Sequence, residues 1–189
     1  MKHIVFWVFQ ISVVVGVILM SVAIFGEVQS KTSAQDTTNQ AVLAESTHTF
    51  SSAAEDIDVN EVFAQVNSQR IQAGLLPLRA NADLEQVAQR RADDMHRESY
   101  YAHLNPSTGE QFSDLLRQQQ IGYRSACENL NMTFHTQTDA IVEDWLQSNA
   151  GHRECLLSTE ASQAGYSVTS VKLYGNQTAY IVVAIHLSE

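Results

Sequence analysis

The chain has 189 residues, enough for one well-buried domain with appendages but not comfortably for two. Its 21 acidic side chains against 11 lysines and arginines give a net charge of −10, and no basic run interrupts the excess. Nucleic acid as a partner is thereby excluded, since phosphate backbones are bound by clustered Lys and Arg.

From Ile4 to Phe25 the chain is apolar apart from Gln10, Ser12 and Ser21. That length suits a bilayer span of about 20 residues and is long for the core of a cleavable signal. Ser21-Val22-Ala23 offers a weak cleavage site, so residues 1–26 read as an uncleaved anchor or a removed signal, the anchor being favoured. Lys2 upstream and acidic residues downstream predict that the remainder is exported, membrane-anchored or secreted. No cysteine lies near this segment, which excludes lipid attachment in the bacterial lipoprotein manner. Residues 27–57 are rich in Ser, Thr, Gln and Ala without helical or strand period, and read as a disordered linker that cannot offset its ordering entropy.

The folded domain is expected over 58–189. Asp58 with Glu61 resembles a capping pair, followed by Val59, Val62, Phe63 and Val66 at helical spacing up to a stop at Gly74. A second helix runs from Asn81 with Leu84, Val87, Ala88, Ala92 and Met95 on one stripe, and Arg90, Arg91, Asp93 and Asp94 read as its solvated face. Thr108 with Gln111, and Thr136 with Asp139, look like capping boxes for two further helices, the second bearing Ile141, Val142, Trp145 and Leu146. Extended runs are expected at Tyr123–Met132, Gln163–Val171 and Ala179–Leu187, the last two joined by a turn at Tyr174-Gly175-Asn176. Helices mixed with strands in this order predict an α+β domain with helices covering an antiparallel sheet.

Chemistry-bearing residues gather in three short segments: Tyr101-Ala102-His103, Cys127-Glu128-Asn129 and Gly151-His152-Arg153-Glu154-Cys155. His103, Glu128 and His152 are the candidate catalytic or ligating groups. His96, His135 and His186 lack such company and read as structural. Asp144, Ser148 and His152 mimic a Ser/His/Asp set, but successive four-residue spacings run along one helix face rather than converge. Cys127 is a nucleophile beside His152 only if it is reduced. Arg153 in a helix-terminating turn is read as a possible carboxylate clamp.

Together with Asn67-Ser68-Gln69-Arg70, Gly74 to Leu78, Arg91-Ala92-Asp93-Asp94-Met95, Pro106 and Trp145 followed by Ser148, these segments resemble the bacterial branch of the CAP (SCP-like) superfamily of cysteine-rich secretory, antigen 5 and pathogenesis-related proteins. The resemblance covers about Val59 to Leu187 and implies export and a three-layer α-β-α sandwich with a central, mainly antiparallel sheet. It also implies a cleft of two histidines and two acids that in some members binds zinc or another divalent ion. His103, Glu128 and His152 match three of those positions; the fourth is Ser148, and Asp144, one turn earlier, is the residue expected to reach the site instead. Where bacterial relatives usually have Gly and Asn, this chain has Cys127 and Cys155, which the resemblance turns into an expected disulfide closing a 28-residue loop, 155 − 127. The function so implied is an envelope binding module for a divalent metal or a small lipid, glycan or peptide, with the membrane engaged through residues 4–25 if uncleaved. The alternative is a metal-assisted or acid-base hydrolase of envelope polymers or peptides, with Glu128 as acid/base.

Overall fold

A computed structural model describes residues 57–173 and 177–188. The apolar segment at 4–25, the linker up to residue 56 and the turn at 174–176 lie outside them. Among the described residues no helix is long and apolar enough to cross a membrane.

The elements are α1 (Val59–Gln72), β1 (Arg79–Ala80), α2 (Ala82–Arg97), α3 (Phe112–Gln118), β2 (Ser125–Thr133), α4 (Thr138–Gln147), α5 (His152–Leu156), β3 (Gln163–Lys172) and β4 (Thr178–Ser188). The strands form one sheet in the order β1-β3-β4-β2, with β2–β4 and β3–β4 antiparallel and β1 parallel to β3. The sheet is therefore mainly antiparallel, as the family resemblance implied. β1 escaped the sequence reading because two residues carry no detectable period.

β4 shows why the domain has three layers. Tyr180, Val182 and Ala184 pack with α1 and α4 through Val62, Phe63, Ile141 and Trp145. Their neighbours Ile181, Val183, Ile185 and Leu187 pack with α2 and α3 through Leu84, Ala88, Leu115 and Leu116. Successive side chains alternate across a strand, so a strand apolar at every position must be covered on both faces. Ile57, assigned to the linker by composition, is buried with the first of these cores. α2 approaches β3 so closely that a Cβ on Gly165 would lie 2.1 Å from the Leu84 carbonyl carbon, which only glycine avoids.

Caps follow the sequence in part. Asp58 accepts from the Asn60 N–H, and Asn81 from those of Asp83 and Leu84. The Thr108 and Thr136 boxes are corrected. Asn105 folds a turn by accepting the N–H groups of Ser107 and Thr108, so α3 begins only after Gln111, whose N–H donates to Asp114. α4 begins after Gln137, with no side-chain cap.

Candidate functional site

Two buried arginines organise the ends of the molecule that matter here, and the first departure from expectation is one of them. Arg91 is not on a solvated face: it is 1% exposed. It lies three residues after Ala88 and four before Met95, on the same stripe as the core. Its Nε donates to Glu128 Oε1 at 2.8 Å, and the second amine group reaches Oε2 at 3.5 Å and the carbonyls of Ala102 and His103 at 3.0 Å. One guanidinium thus ties α2 to β2 and to the loop carrying His103. Burial opposes its charge, but the hydrogen bond and Coulombic attraction of Glu128, helped by Tyr100, outweigh that and hold it above its ordinary value.

Behind Arg91 the network continues. The Tyr100 hydroxyl accepts from Arg91 and donates to Asp94 at 2.6 Å, and Asn105 donates to the same carboxylate oxygen. Those bonds, with the charges of Arg97 and Arg91, hold the Asp94 carboxyl below its usual range although burial pulls the other way. Asp94 was expected in solvent; instead it braces the loop that delivers His103.

Glu128 is the hub. Its side chain is 1% exposed and both oxygens are engaged, Oε1 by Arg91 and Oε2 by His103 Nδ1 at 2.8 Å. Facing a carboxylate already clamped by a guanidinium, Nδ1 must carry the proton and donate. In the neutral ring, Nε2 then holds the lone pair, and the ring is 55% exposed. The His152 ring lies 5.9 Å from that of His103, centroid to centroid. Burial and the neighbouring His103 both lower the His152 pKa, against the pull of Glu154, so its imidazole is favoured in the neutral form.

These groups meet across the edge strand. Glu128 shares a face of β2 with Leu130, on the α2 side, and His103 follows α2. His152 opens α5 on the opposite side, after Gly151 at φ 96°, a left-handed conformation that favours glycine. Asn129 donates to the His152 carbonyl at 3.0 Å and so fixes that second arm. Gly151 therefore starts a new helix rather than ending an old one. α4 stops at Gln147 and Ser148 is extended, so Asp144, Ser148 and His152 share no helix face.

Asp144 does not replace the missing acid by bonding an imidazole. Its carboxylate accepts from Asn131 at 3.1 Å, and its charge, with that of Glu128 and with burial as the main cause, pushes the Tyr101 phenol up to about 12. Ser148 accepts from the Ala150 N–H, and Arg153 donates to the Leu146 carbonyl, not to a carboxylate. The amide oxygens of Asn129 and Asn131, both buried on one face of β2, have no donor among the described residues.

The expected trio of ligands does not gather as such. Among the described residues, the one set of three His, Cys, Asp or Glu ligand atoms lying within 4.8 Å of one another is Cys127, Cys155 and His186. Glu128, spent on Arg91 and His103, is an orienting carboxylate rather than a ligand, as a second-shell carboxylate is to a metal-binding imidazole. That leaves two imidazoles, one protein ligand fewer than catalytic zinc sites have. The expected disulfide is present: Cys127 and Cys155 are bonded, with Cα atoms 5.9 Å apart.

Beside the cleft runs an open groove of about 680 Å³, lined by Met95, Tyr100, Tyr101, Met132, Leu173 and Ile181, with His96 and Lys172 also on its wall. Tyr101, in its wall, lies two residues before His103. Arg91 and Asp94, expected on a solvated face, and Tyr100 and Tyr101, for which the sequence suggests no role, all belong to the site. The 3.6-residue period marked Arg91; nothing in the local pattern marked the others.

A three-layer α-β-α sandwich with two imidazoles meeting over a carboxylate at its sheet edge defines the class. The model of the cysteine-rich secretory protein (CAP) family matches residues 63–185, and the chain belongs to that family. It is 28% identical over 108 residues to the uncharacterized membrane protein YlbC of Bacillus subtilis, a match covering 57% of this chain and 30% of that one. An extracellular protein containing a SCP domain from Bacillus anthracis shares the fold with a TM-score of 0.58 and 24% identity, over 69% of this chain and 40% of its own. An outer surface protein of Borrelia burgdorferi does so with a TM-score of 0.58 and 19% identity, over 69% of this chain and 91% of its own. The chain thus spans less than half the length of two of these three relatives.

Proposed function

We propose that this is an exported cell-envelope protein whose CAP domain is a binding module, with the His103–His152 cleft as its ligand site. The single observation that carries the reading is the Arg91–Glu128–His103 chain. It spends a buried ion pair on presenting one imidazole lone pair beside a second, neutral imidazole at the sheet edge. Such a pair of acceptors suits a divalent cation, which His103 and His152 would hold, or the hydroxyl and amide donors of a glycan or peptide. A bound cation would supply Lewis acidity and a point of attachment for an anionic ligand group. The apolar groove that includes Tyr101, two residues before His103, supports a ligand with an apolar part, such as a lipid.

Export rests on the apolar segment at 4–25, on the disulfide, which persists in oxidising compartments, and on relatives named as membrane, extracellular and outer surface proteins. A hydrolase of envelope polymers or peptides is the second reading, and the same oriented imidazole favours it, because a general base needs a lone pair held in place. Calorimetric titration of the purified chain with Zn²⁺ or Ni²⁺, beside His103→Ala and His152→Ala, tests the site. Uptake lost in both variants with the fold retained supports it. Uptake indifferent to both substitutions would remove the cleft as the metal site and leave only an organic ligand for it.

A further inference from the structure

The disulfide lies on a set of groups that the edge cleft does not use. Cys127 and His186 are direct cross-strand partners of β2 and β4, so their side chains share a face. Cys155 comes down on them from α5. Both sulfurs and one ring nitrogen of His186 lie within 4.8 Å of one another. An open cavity of about 320 Å³ leads to them, lined also by Glu154 and Glu160. His186 is wholly buried, with the Tyr166 hydroxyl 2.6 Å from Nε2 and the Cys155 carbonyl 3.2 Å from Nδ1.

We propose that reduction of the Cys127–Cys155 disulfide converts this point into a Cys₂His site for a thiophilic divalent ion such as Zn²⁺. As a disulfide the sulfurs are poor ligands, and the site is closed. A dithiol reductant breaks the S–S bond, giving two electrons and two protons to the cysteines and becoming a disulfide itself. The ion then displaces both thiol protons, because the thiolate is the ligand. Burial holds the His186 pKa down to about 4, so its imidazole is already neutral and releases no proton on binding. Shifting its single proton to Nε2, where Tyr166 can accept it, leaves Nδ1 free on the Cys155 side. Three protein ligands with a fourth position open to the cavity match the pattern of accessible zinc sites. Glu154 and Glu160 add negative charge along the entry path. The ion would restore by coordination the tie between β2 and α5 that reduction removes.

The test is Co²⁺ binding to the full chain in its oxidised form, after phosphine reduction under anaerobic conditions, and in His186→Gln and Cys155→Ser variants. A His103→Ala/His152→Ala variant keeps the edge cleft from contributing. The expected result is one equivalent of Co²⁺ with a thiolate-to-cobalt charge-transfer band in the reduced chain only, retained when both cleft histidines are gone. Cys155→Ser should abolish the band. His186→Gln should weaken binding by at least about 100-fold, the upper end of what even outer-shell partners cost. No band in a reduced chain that circular dichroism shows to be folded overturns the proposal, as does unfolding on reduction. Undiminished binding in His186→Gln removes the histidine from the ligand set and overturns the Cys₂His assignment.

Discussion

Arg70 and Arg91 are both 1% exposed, yet they are neutralised in opposite ways. Arg70, on α1, donates among the described residues to carbonyl oxygens, those of Leu76, Leu156, Ser158 and Ala161, at 2.7 to 3.1 Å. Burial pulls its pKa down, and its task is to tie the α1–β1 connection to the end of α5 and the connection that follows it. Arg91 meets a carboxylate, and its pKa is raised. A structural clamp can dissolve its charge among backbone dipoles. A site arginine is placed to hold another charge, and that second charge then orients something exposed. The difference separates the two ends of the domain more sharply than composition does.

The comparison predicts unequal costs. Arg91→Met strands the Glu128 carboxylate in the interior and should destabilise the domain by about 3–5 kcal/mol, as removal of one partner from a buried pair does. Denaturant unfolding measures it, and Arg91→Met with Glu128→Leu together should recover part of the loss. Next comes acid. In the disulfide-bonded chain, His186 is held near pKa 4 from an ordinary 6.5. The unfolded chain therefore binds a proton below pH 6.5 that the folded chain refuses. Stability is complete above that pH and falls as pH drops toward 4, by about 3 kcal/mol in total. A pH series of unfolding midpoints should show this slope, and His186→Gln should flatten it. Arg70→Met leaves carbonyls but no charge unpaired, and loops that can re-solvate them should limit its cost to about 1–3 kcal/mol. Equal costs for the two arginines would break the distinction. His103→Ala removes one partner of the Glu128 carboxylate at a site water can enter, and should cost about 1 kcal/mol while removing ligand retention.

Much of the frame was legible in the sequence. The 3.6-residue stripes of α1 and α2 and the β-branched runs of β3 and β4 each commit one face to burial, and the observed ranges differ from expectation by a residue or two. The site was legible only as a set. That His103, Glu128 and His152 belong together could be read; which would ligate and which would orient could not. That depends on whether Glu128 meets solvent or Arg91, a contact between α2 and β2 with no local signature. Arg91 itself was misread because its charge was weighed above its position, although it falls on the stripe with Ala88 and Met95. The capping boxes at Thr108 and Thr136 failed for a related reason. At Thr108 the signature was present, but Asn105 had already claimed its backbone N–H in a tighter turn.

The most direct test of this account is the tautomer of His103, read from long-range ¹H–¹⁵N correlations of the imidazole in the intact protein at neutral pH. In the neutral ring, the ion pair of Arg91 and Glu128 places the proton on Nδ1 and leaves Nε2 bare, and Arg91→Met should relax that preference. A neutral ring with its proton on Nε2 and none on Nδ1 would mean that Glu128 does not orient it, and the cleft would lose the acceptor on which its proposed binding rests.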